Sequence, residues 1–391
     1  MTLTGNSAQQ NRQRGLAAMQ SGDAKSAIKF FTAAAESEPG VLAHWLNLAM
    51  AARAAKKSDL ALNAVHQVLS RQPRDLLALL LKGMVLEDLG RRVDAYLAYD
   101  AAILVAPPLD KLDRNMQMAL ARAKSAHAAY TNEREAALQA SLAQTRDRAD
   151  RVDRFDQAMA QYLKKKQVYH RNPHVLDFPG LPETQFYRRQ DFPWLAAIEA
   201  ATDDIRAECL AALGAEEAGC SPYIQYPDGV PLDQWAELNH SPRWNAFHLL
   251  KSGVWMDENC AACPKTLAAL AHVPGADLPG RGPNIMFSVL KPRTRIPPHT
   301  GVANTRLVVH IPLIIPPGCG FRVGNDTRPW VPGEAFIFDD TIEHEAWNDS
   351  DQVRIVLIFD IWHPDMTADE CALVRGLFAA DDQFSAAASA K

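Results

Sequence analysis

The sequence predicts a multi-domain chain of α plus β class, an α-solenoid followed by a strand-rich domain. Three observations carry this. A 34-residue spacing recurs in the first third of the chain, and the composition changes near residue 165. After that change come β-branched runs such as Arg306-Leu-Val-Val-His-Ile and Val353-Arg-Ile-Val-Leu-Ile-Phe359. Helices first and strands later indicate separate domains, not one interleaved unit.

The repeat stands first. Pro39, Pro73 and Pro107 are spaced by 34 residues and again by 34, and the same interval relates Ala27, Ala61 and Ala95. Phe31, Val65 and Tyr99 form another column, Ala34, Val68 and Ala102 a further one, and Gly15, Ala49 and Gly83 a column of small residues. Small residues where paired helices touch, with a proline ending each second helix, are the tetratricopeptide pattern. Three repeats are expected over 8–107, and a helical cap and connector over 108–168. Such a stack presents a concave groove, which either binds a peptide or protein or only supports the second half.

Composition limits the function classes. The 391 residues are 48% hydrophobic, with 41 Lys+Arg against 46 Asp+Glu and a net charge of −5. That balance favours neither a nucleic-acid surface nor an anionic membrane. No run approaches the ~18 apolar residues of a membrane span. The opening MTLTGNSAQQNRQRG has no apolar segment after its charges, so no signal peptide is expected. Six scattered cysteines point to reduced thiols and a cytoplasmic protein.

The chemistry lies in the second half. Of 12 histidines most are isolated, but His299 in Pro297-Pro-His-Thr-Gly301 and His344 in Phe338-Asp-Asp-Thr-Ile-Glu-His-Glu345 sit where turn-rich segments meet strands. In a jelly roll such junctions can bring two imidazoles to one metal, and two imidazoles alone identify no metal. Along Thr305-Arg-Leu-Val-Val-His-Ile-Pro-Leu-Ile-Ile315, alternation sets Arg306, Val308 and His310 on one face and Leu307, Val309 and Ile311 on the other. Arg and His among apolar neighbours suggest an enclosed polar pocket. Arg354, inside a core-like strand, needs an anion because an unpaired buried charge is costly. That anion is either Asp339 or Asp340, or a ligand carboxylate.

From about Pro173 to Pro364 the chain resembles the aspartyl/asparaginyl β-hydroxylase family of iron- and 2-oxoglutarate-dependent oxygenases. The matching blocks are Phe178-Pro-Gly-Leu181, Asn259-Cys-Ala-Ala-Cys-Pro-Lys-Thr266, Phe287-Ser-Val-Leu-Lys-Pro292 and Pro298-His-Thr-Gly301. They continue with Asn304-Thr-Arg-Leu-Val-Val-His310, Trp330-Val-Pro-Gly-Glu334, Phe338-Asp-Asp340, His344-Glu-Ala-Trp347, Arg354 and Asp360-Ile-Trp-His-Pro364. The resemblance implies a double-stranded β-helix (jelly-roll, cupin-like) oxygenase domain over 169–365; the residues beyond it, 366–391, are expected to form a short C-terminal helix and a mobile tail. It implies that His299 and His344 bind Fe(II), with Gly301 where most related oxygenases place a carboxylate. Ser288 and Arg354 match residues holding the distal carboxylate of 2-oxoglutarate, and His310 matches one touching the carboxylate near the metal. Arg306 matches a residue that binds the substrate's carboxylate. Val308 departs from a second cofactor-binding arginine of the animal members. Cys260 and Cys263 lack the wider spacing of the secretory enzymes, and no second cysteine pair for zinc is apparent.

The implied reaction uses O2 and 2-oxoglutarate, releases succinate and CO2, and hydroxylates an unactivated carbon, foremost the β-carbon of Asp or Asn in a peptide or protein. A lipid-linked acyl chain or small amino acid, halogenation, and a non-catalytic repeat scaffold with a degenerate cupin-like domain are the alternatives.

Overall fold

A computed structural model describes residues 4–148, 152–214, 219–278 and 280–389. The chain forms two compact units, Met1–Leu163 and Lys164–Lys391.

The first unit is helical. Three antiparallel pairs follow one another: α1 (Thr4–Gln20) with α2 (Ala24–Ser37), α3 (Leu42–Ala54) with α4 (Ser58–Leu69), and α5 (Leu76–Asp88) with α6 (Arg92–Val105). The long α7 (Arg114–Arg146) and α8 (Asp153–Tyr162) follow. The repeated columns are the contacts within each pair. A Cβ on Gly15 would lie 2.4 Å from the Phe31 ring, and one on Gly83 would lie 2.2 Å from the Tyr99 ring. The middle repeat fills the same columns with Ala49 and Val65, both fully buried. Small against large, and medium against medium, keep the packed volume nearly constant. Asp23, Asp75 and Asp113 cap α2, α5 and α7 by accepting from the backbone N–H three residues on.

The second unit is built on two antiparallel sheets. Its strands are β1 (Ser221–Pro222), β2 (Trp244–Lys251), β3 (Val254–Trp255), β4 (Ile285–Leu290), β5 (Thr294–His299), β6 (Arg306–Ile314), β7 (Cys319–Val323), β8 (Asp326–Arg328), β9 (Phe336–Phe338), β10 (His344–Asn348) and β11 (Arg354–Trp362). The larger sheet runs β1-β2-β4-β11-β6-β9 with β3 beside β2, and the smaller runs β5-β10-β7-β8. The helices are α9 (Leu195–Ala200), α10 (Thr202–Leu213), α11 (Asp257–Ala261), α12 (Pro264–Leu270) and α13 (Ala368–Ser389).

Period-two alternation sends the larger sheet's side chains into two cores. Leu307, Val309 and Ile311 of β6, with Leu357, Phe359 and Ile361 of β11, pack under Leu195, Ile198 and Ile205 of α9 and α10. The opposite face, with Val308 and Val356, packs on Ile296, Phe321, Val323 and Ala346 of the smaller sheet. Both faces are therefore buried, and the polar side chains on the inner face are enclosed between the sheets.

One expectation changes in space. The C-terminal segment is one helix of 22 residues, with Val374 and Phe378 packed on Leu278, in place of a short helix. Residues 390–391 of the expected tail lie outside the described residues. Cys209 is buried in the same core as Cys263, and Cys220 packs at its edge with Cys260, but among the described residues these thiols do not gather as a metal-binding group. Burial pushes the Cys263 thiol up to about 12 and raises Cys209 further, which fits packing residues and not reactive thiols.

Candidate active site

One cavity of about 240 Å³ between the sheets is lined by all six residues singled out from sequence: Ser288, His299, Arg306, His310, His344 and Arg354. Strand pairing brings them there. His299 ends β5 and His344 opens β10, and the two are directly opposed across the ladder. Their ring centroids stand 4.1 Å apart. His299 Nδ1 lies 2.7 Å from the Pro297 carbonyl, and His344 Nδ1 lies 3.0 Å from that of Ile342. Each carbonyl accepts from an Nδ1–H, so each Nε2 keeps its lone pair. Burial lowers the pKa of His299 and lowers that of His344 further, where the neighbouring His299 adds to the effect. Two neutral imidazoles with unprotonated Nε2 atoms are a donor set for a transition metal.

Among the described residues, no group of three or more His, Cys, Asp or Glu side chains gathers as a metal site. A Cβ on Gly301, where a third carboxylate is commonest in related sites, would lie 2.1 Å from Asp340 Oδ2. The Asp340 carboxylate thus occupies the space that any side chain at 301 would need. Burial pushes Asp340 up to about 7, with Arg306 opposing and Asp339 and Asp360 reinforcing the shift.

The other end of the cavity holds a buried guanidinium. Arg354 is 1% exposed. It donates from Nη1 to the Ser288 carbonyl at 3.3 Å and to Ser288 Oγ at 3.2 Å, and Nε finds no partner among the described residues. Its carbon centre lies 4.7 Å from the Trp330 ring centroid. Neither Asp339 nor Asp340 neutralises it, so the internal ion pair considered from sequence is not formed. Burial pushes its pKa down to about 10, a large shift for a guanidinium. Ser288 Oγ also accepts from Trp244 Nε1 at 3.0 Å. With two donors already on that oxygen, its own proton is left for a further acceptor. His310 lines the same cavity with Nδ1 unpartnered, and burial holds it neutral, well below the usual range.

Arg306, expected to bind a substrate carboxylate, pairs with two acidic groups of the chain itself. Its Nη1 lies 2.7 Å from Asp360 Oδ2, and its Nη2 lies 3.3 Å from Asp340 Oδ2. Burial works against its charge, but Asp360 and Asp340 together raise its pKa. The carboxylate expected from a substrate is supplied twice by the chain itself. Val308, in the place of the family's second arginine, is an 8% exposed core residue facing the smaller sheet.

Sequence reasoning missed the aromatic wall. Trp235 packs edge-on to His299 at 5.0 Å, and Tyr223 stacks on Trp244 at 4.1 Å. These residues come from a loop-rich stretch without periodicity. Trp330 and Asp360 fall inside matching blocks, where their positions were visible but not their partners. Phe178 is pinned by Asn304, whose side chain accepts from the Phe178 N–H at 2.7 Å and donates to its carbonyl at 2.9 Å.

Residues 199–364 match the family model for Aspartyl/Asparaginyl beta-hydroxylase. The chain is 37% identical over 143 residues to the human aspartyl/asparaginyl beta-hydroxylase, across 36% of this chain and 19% of that one. It is 34% identical over 192 residues to the ornithine lipid ester-linked acyl 2-hydroxylase of Rhizobium tropici, across 48% of this chain and 64% of that one. The match thus spans about a fifth of the human relative's length. Among solved structures the chain is similar to the Arabidopsis OM64 TPR domain, at 18% identity and a TM-score of 0.28, over 31% of this chain and 98% of that one. The family match encloses both histidines, both arginines and the strands that carry them. Over these residues the chain is similar to the aspartyl/asparaginyl β-hydroxylase family.

Proposed function

We propose that the second unit is an iron(II)- and 2-oxoglutarate-dependent hydroxylase on a double-stranded β-helix. In this proposal His299 and His344 hold the metal, and Ser288, His310 and Arg354 hold the cosubstrate. The observation that carries it is the Arg354 guanidinium, buried without a carboxylate in the cavity of two imidazoles with available Nε2 atoms. An unpaired buried charge costs several kcal/mol, so the site is built for an anion that binds there. The distal carboxylate of 2-oxoglutarate supplies one, through charge-assisted bonds from Arg354 and the remaining proton of Ser288. Neutral His310 is placed to contact the carboxylate nearer the metal. Trp330 covers the guanidinium and keeps water from competing for it. Iron(II), when bound, supplies O2-dependent oxidation of an unactivated carbon coupled to conversion of 2-oxoglutarate to succinate and CO2. The protein contributes orientation and a dry enclosure.

An Asp or Asn acceptor would bring its polar group to Arg306, whose two carboxylate partners now stand in the way. The reaction class does not depend on that contact. A peptide or protein partner is assigned to the helical unit, whose α3, α5 and α7 form a groove lined by Met50, Leu77, Leu81, Met84 and Met116.

Succinate formation tests the proposal. Iron-loaded protein should convert 2-oxoglutarate to succinate with O2, and His344→Ala should reduce that rate by about 100-fold or more. Full iron-dependent turnover by the variant overturns the assignment.

A further inference from the structure

We propose that the end of the cavity remote from Arg354 is a cation-accepting subsite, formed by Asp340 and Asp360 beside Tyr223. The acceptor substrate presents a positively charged amino or guanidino group to it. This rests on the oxygenase proposal only in calling the ligand a substrate. The subsite itself follows from charge and packing.

The cavity is polarised along β11. Arg354 and Asp360 both line it from that strand, six residues apart, which is about 20 Å of extended chain. At the Arg354 end a guanidinium has no carboxylate. At the Asp360 end two carboxylates share one guanidinium. Register explains this grouping: Asp360 is opposed to Val308 on β6, so Arg306, two residues along the same face, is its diagonal neighbour. Arg306 spans both acidic groups, one guanidinium against two carboxyls, of which burial pushes Asp340 up to about 7.

Hydrogen bonds serve the two acidic groups unequally. Asp360 Oδ2 accepts from the Asn284 N–H at 2.9 Å, from Asn284 Nδ2 at 3.1 Å and from Arg306. Asp340 makes one long contact to Arg306 through Oδ2, and its Oδ1 has no partner although the residue is only 6% exposed. A buried carboxylate oxygen without a donor costs free energy that an incoming N–H donor removes. Tyr223 lines the same cavity, near enough to Arg306, Asp360 and Asp340 for their charges to act on its hydroxyl. Aromatic faces beside a carboxylate favour ammonium and guanidinium groups through the ring quadrupole and offer nothing to a carboxylate. Arg306 is accordingly a positioning residue that fixes the two carboxyls by pairing with both.

Matched probes read the subsite without turnover. n-Butylammonium and its neutral analogue 1-butanol are titrated into metal-free protein without 2-oxoglutarate, and tryptophan fluorescence reports binding. The cation should bind about tenfold or more tighter than the alcohol. Asp340→Asn should remove most of that preference while the variant still melts cooperatively. Equal affinity of the wild-type protein for both probes overturns the proposal, and needs no variant. So does an unchanged preference in folded Asp340→Asn. Cation preference without succinate formation would remove the oxygenase proposal alone, and succinate formation without cation preference would remove this one alone.

Discussion

Arg354 decides between a structural and a functional role for the inner face. A side chain kept for stability should cost stability when removed, and this one should do the opposite. Its charge is desolvated, its Nε lacks a partner, and burial has already moved its pKa down to about 10. Arg354→Met keeps the aliphatic volume against Trp330 and deletes the uncompensated charge. We expect the ligand-free variant to be more stable than the wild type by about 1–3 kcal/mol, or roughly 2–10 °C in melting temperature. The same variant should lose the stabilisation that 2-oxoglutarate with a divalent metal confers on the wild type, about 2.7 kcal/mol at a hundredfold excess over Kd. Thermal melts with and without cosubstrate check both halves. A destabilised variant that still responds to 2-oxoglutarate would assign Arg354 to the core.

The helical repeat makes a different test possible at the level of elements. Gly15 and Phe31 pack as a pair between α1 and α2, and the middle repeat solves the same contact with Ala49 and Val65. Gly15→Ala should cost about 1–3 kcal/mol by overpacking the ring. Phe31→Val should cost more, through the cavity it leaves. The double variant rebuilds the middle repeat's solution and should cost clearly less than the sum, with a coupling of about 1 kcal/mol or more in far-ultraviolet melts. Additive losses would mean the columns do not touch as a pair. These columns were legible in the sequence because a repeat writes one contact several times at fixed spacing. The β6 alternation was legible for a similar local reason, since a strand reverses its face at every residue. The partners of Arg306 were not. Asp360 lies on another strand, and only the β6–β11 register makes the two diagonal neighbours. The resemblance could place a guanidinium beside the substrate, but not the two carboxylates that claim it. Cys209 escaped for the same reason, being brought into the core of Cys263 by the packing of α10 on the sheet and not by spacing.

Across the whole molecule, charge burial is uneven, and this predicts how acid acts. In the second unit burial holds His248 down to about 4 and lowers His299, His310, His344 and His363. In an unfolded chain each returns to its ordinary value of 6.5. Between those values the folded state binds fewer protons than the unfolded one. The stability these groups contribute is therefore complete above about pH 6.5 and is lost as pH falls toward 4. His248, 9% exposed, accounts for about 3 kcal/mol of that loss at pH 4. Asp340 acts with the opposite sign. Its carboxyl titrates at about 7 in the fold against an ordinary 3.8, so it stabilises the folded state as pH falls through that interval, and Asp339 shifts the same way. Five histidines against two carboxyls leave the histidines dominant. The first unit has no such reservoir among its shifted carboxyls, because Asp23, Glu133 and Asp156 are solvent-exposed. Seven of the eight tryptophans lie in the second unit, so their fluorescence reports its unfolding, while far-ultraviolet ellipticity weights the helices of the first. For metal-free protein, the urea midpoint seen by fluorescence should fall between about pH 7.5 and about pH 5, by the equivalent of about 2 kcal/mol or more. The ellipticity midpoint should move less. A fluorescence midpoint that stays level or rises on acidification would mean that Asp340 and Asp339 outweigh the histidines, and that the cavity is held together by shared protons instead of neutral imidazoles.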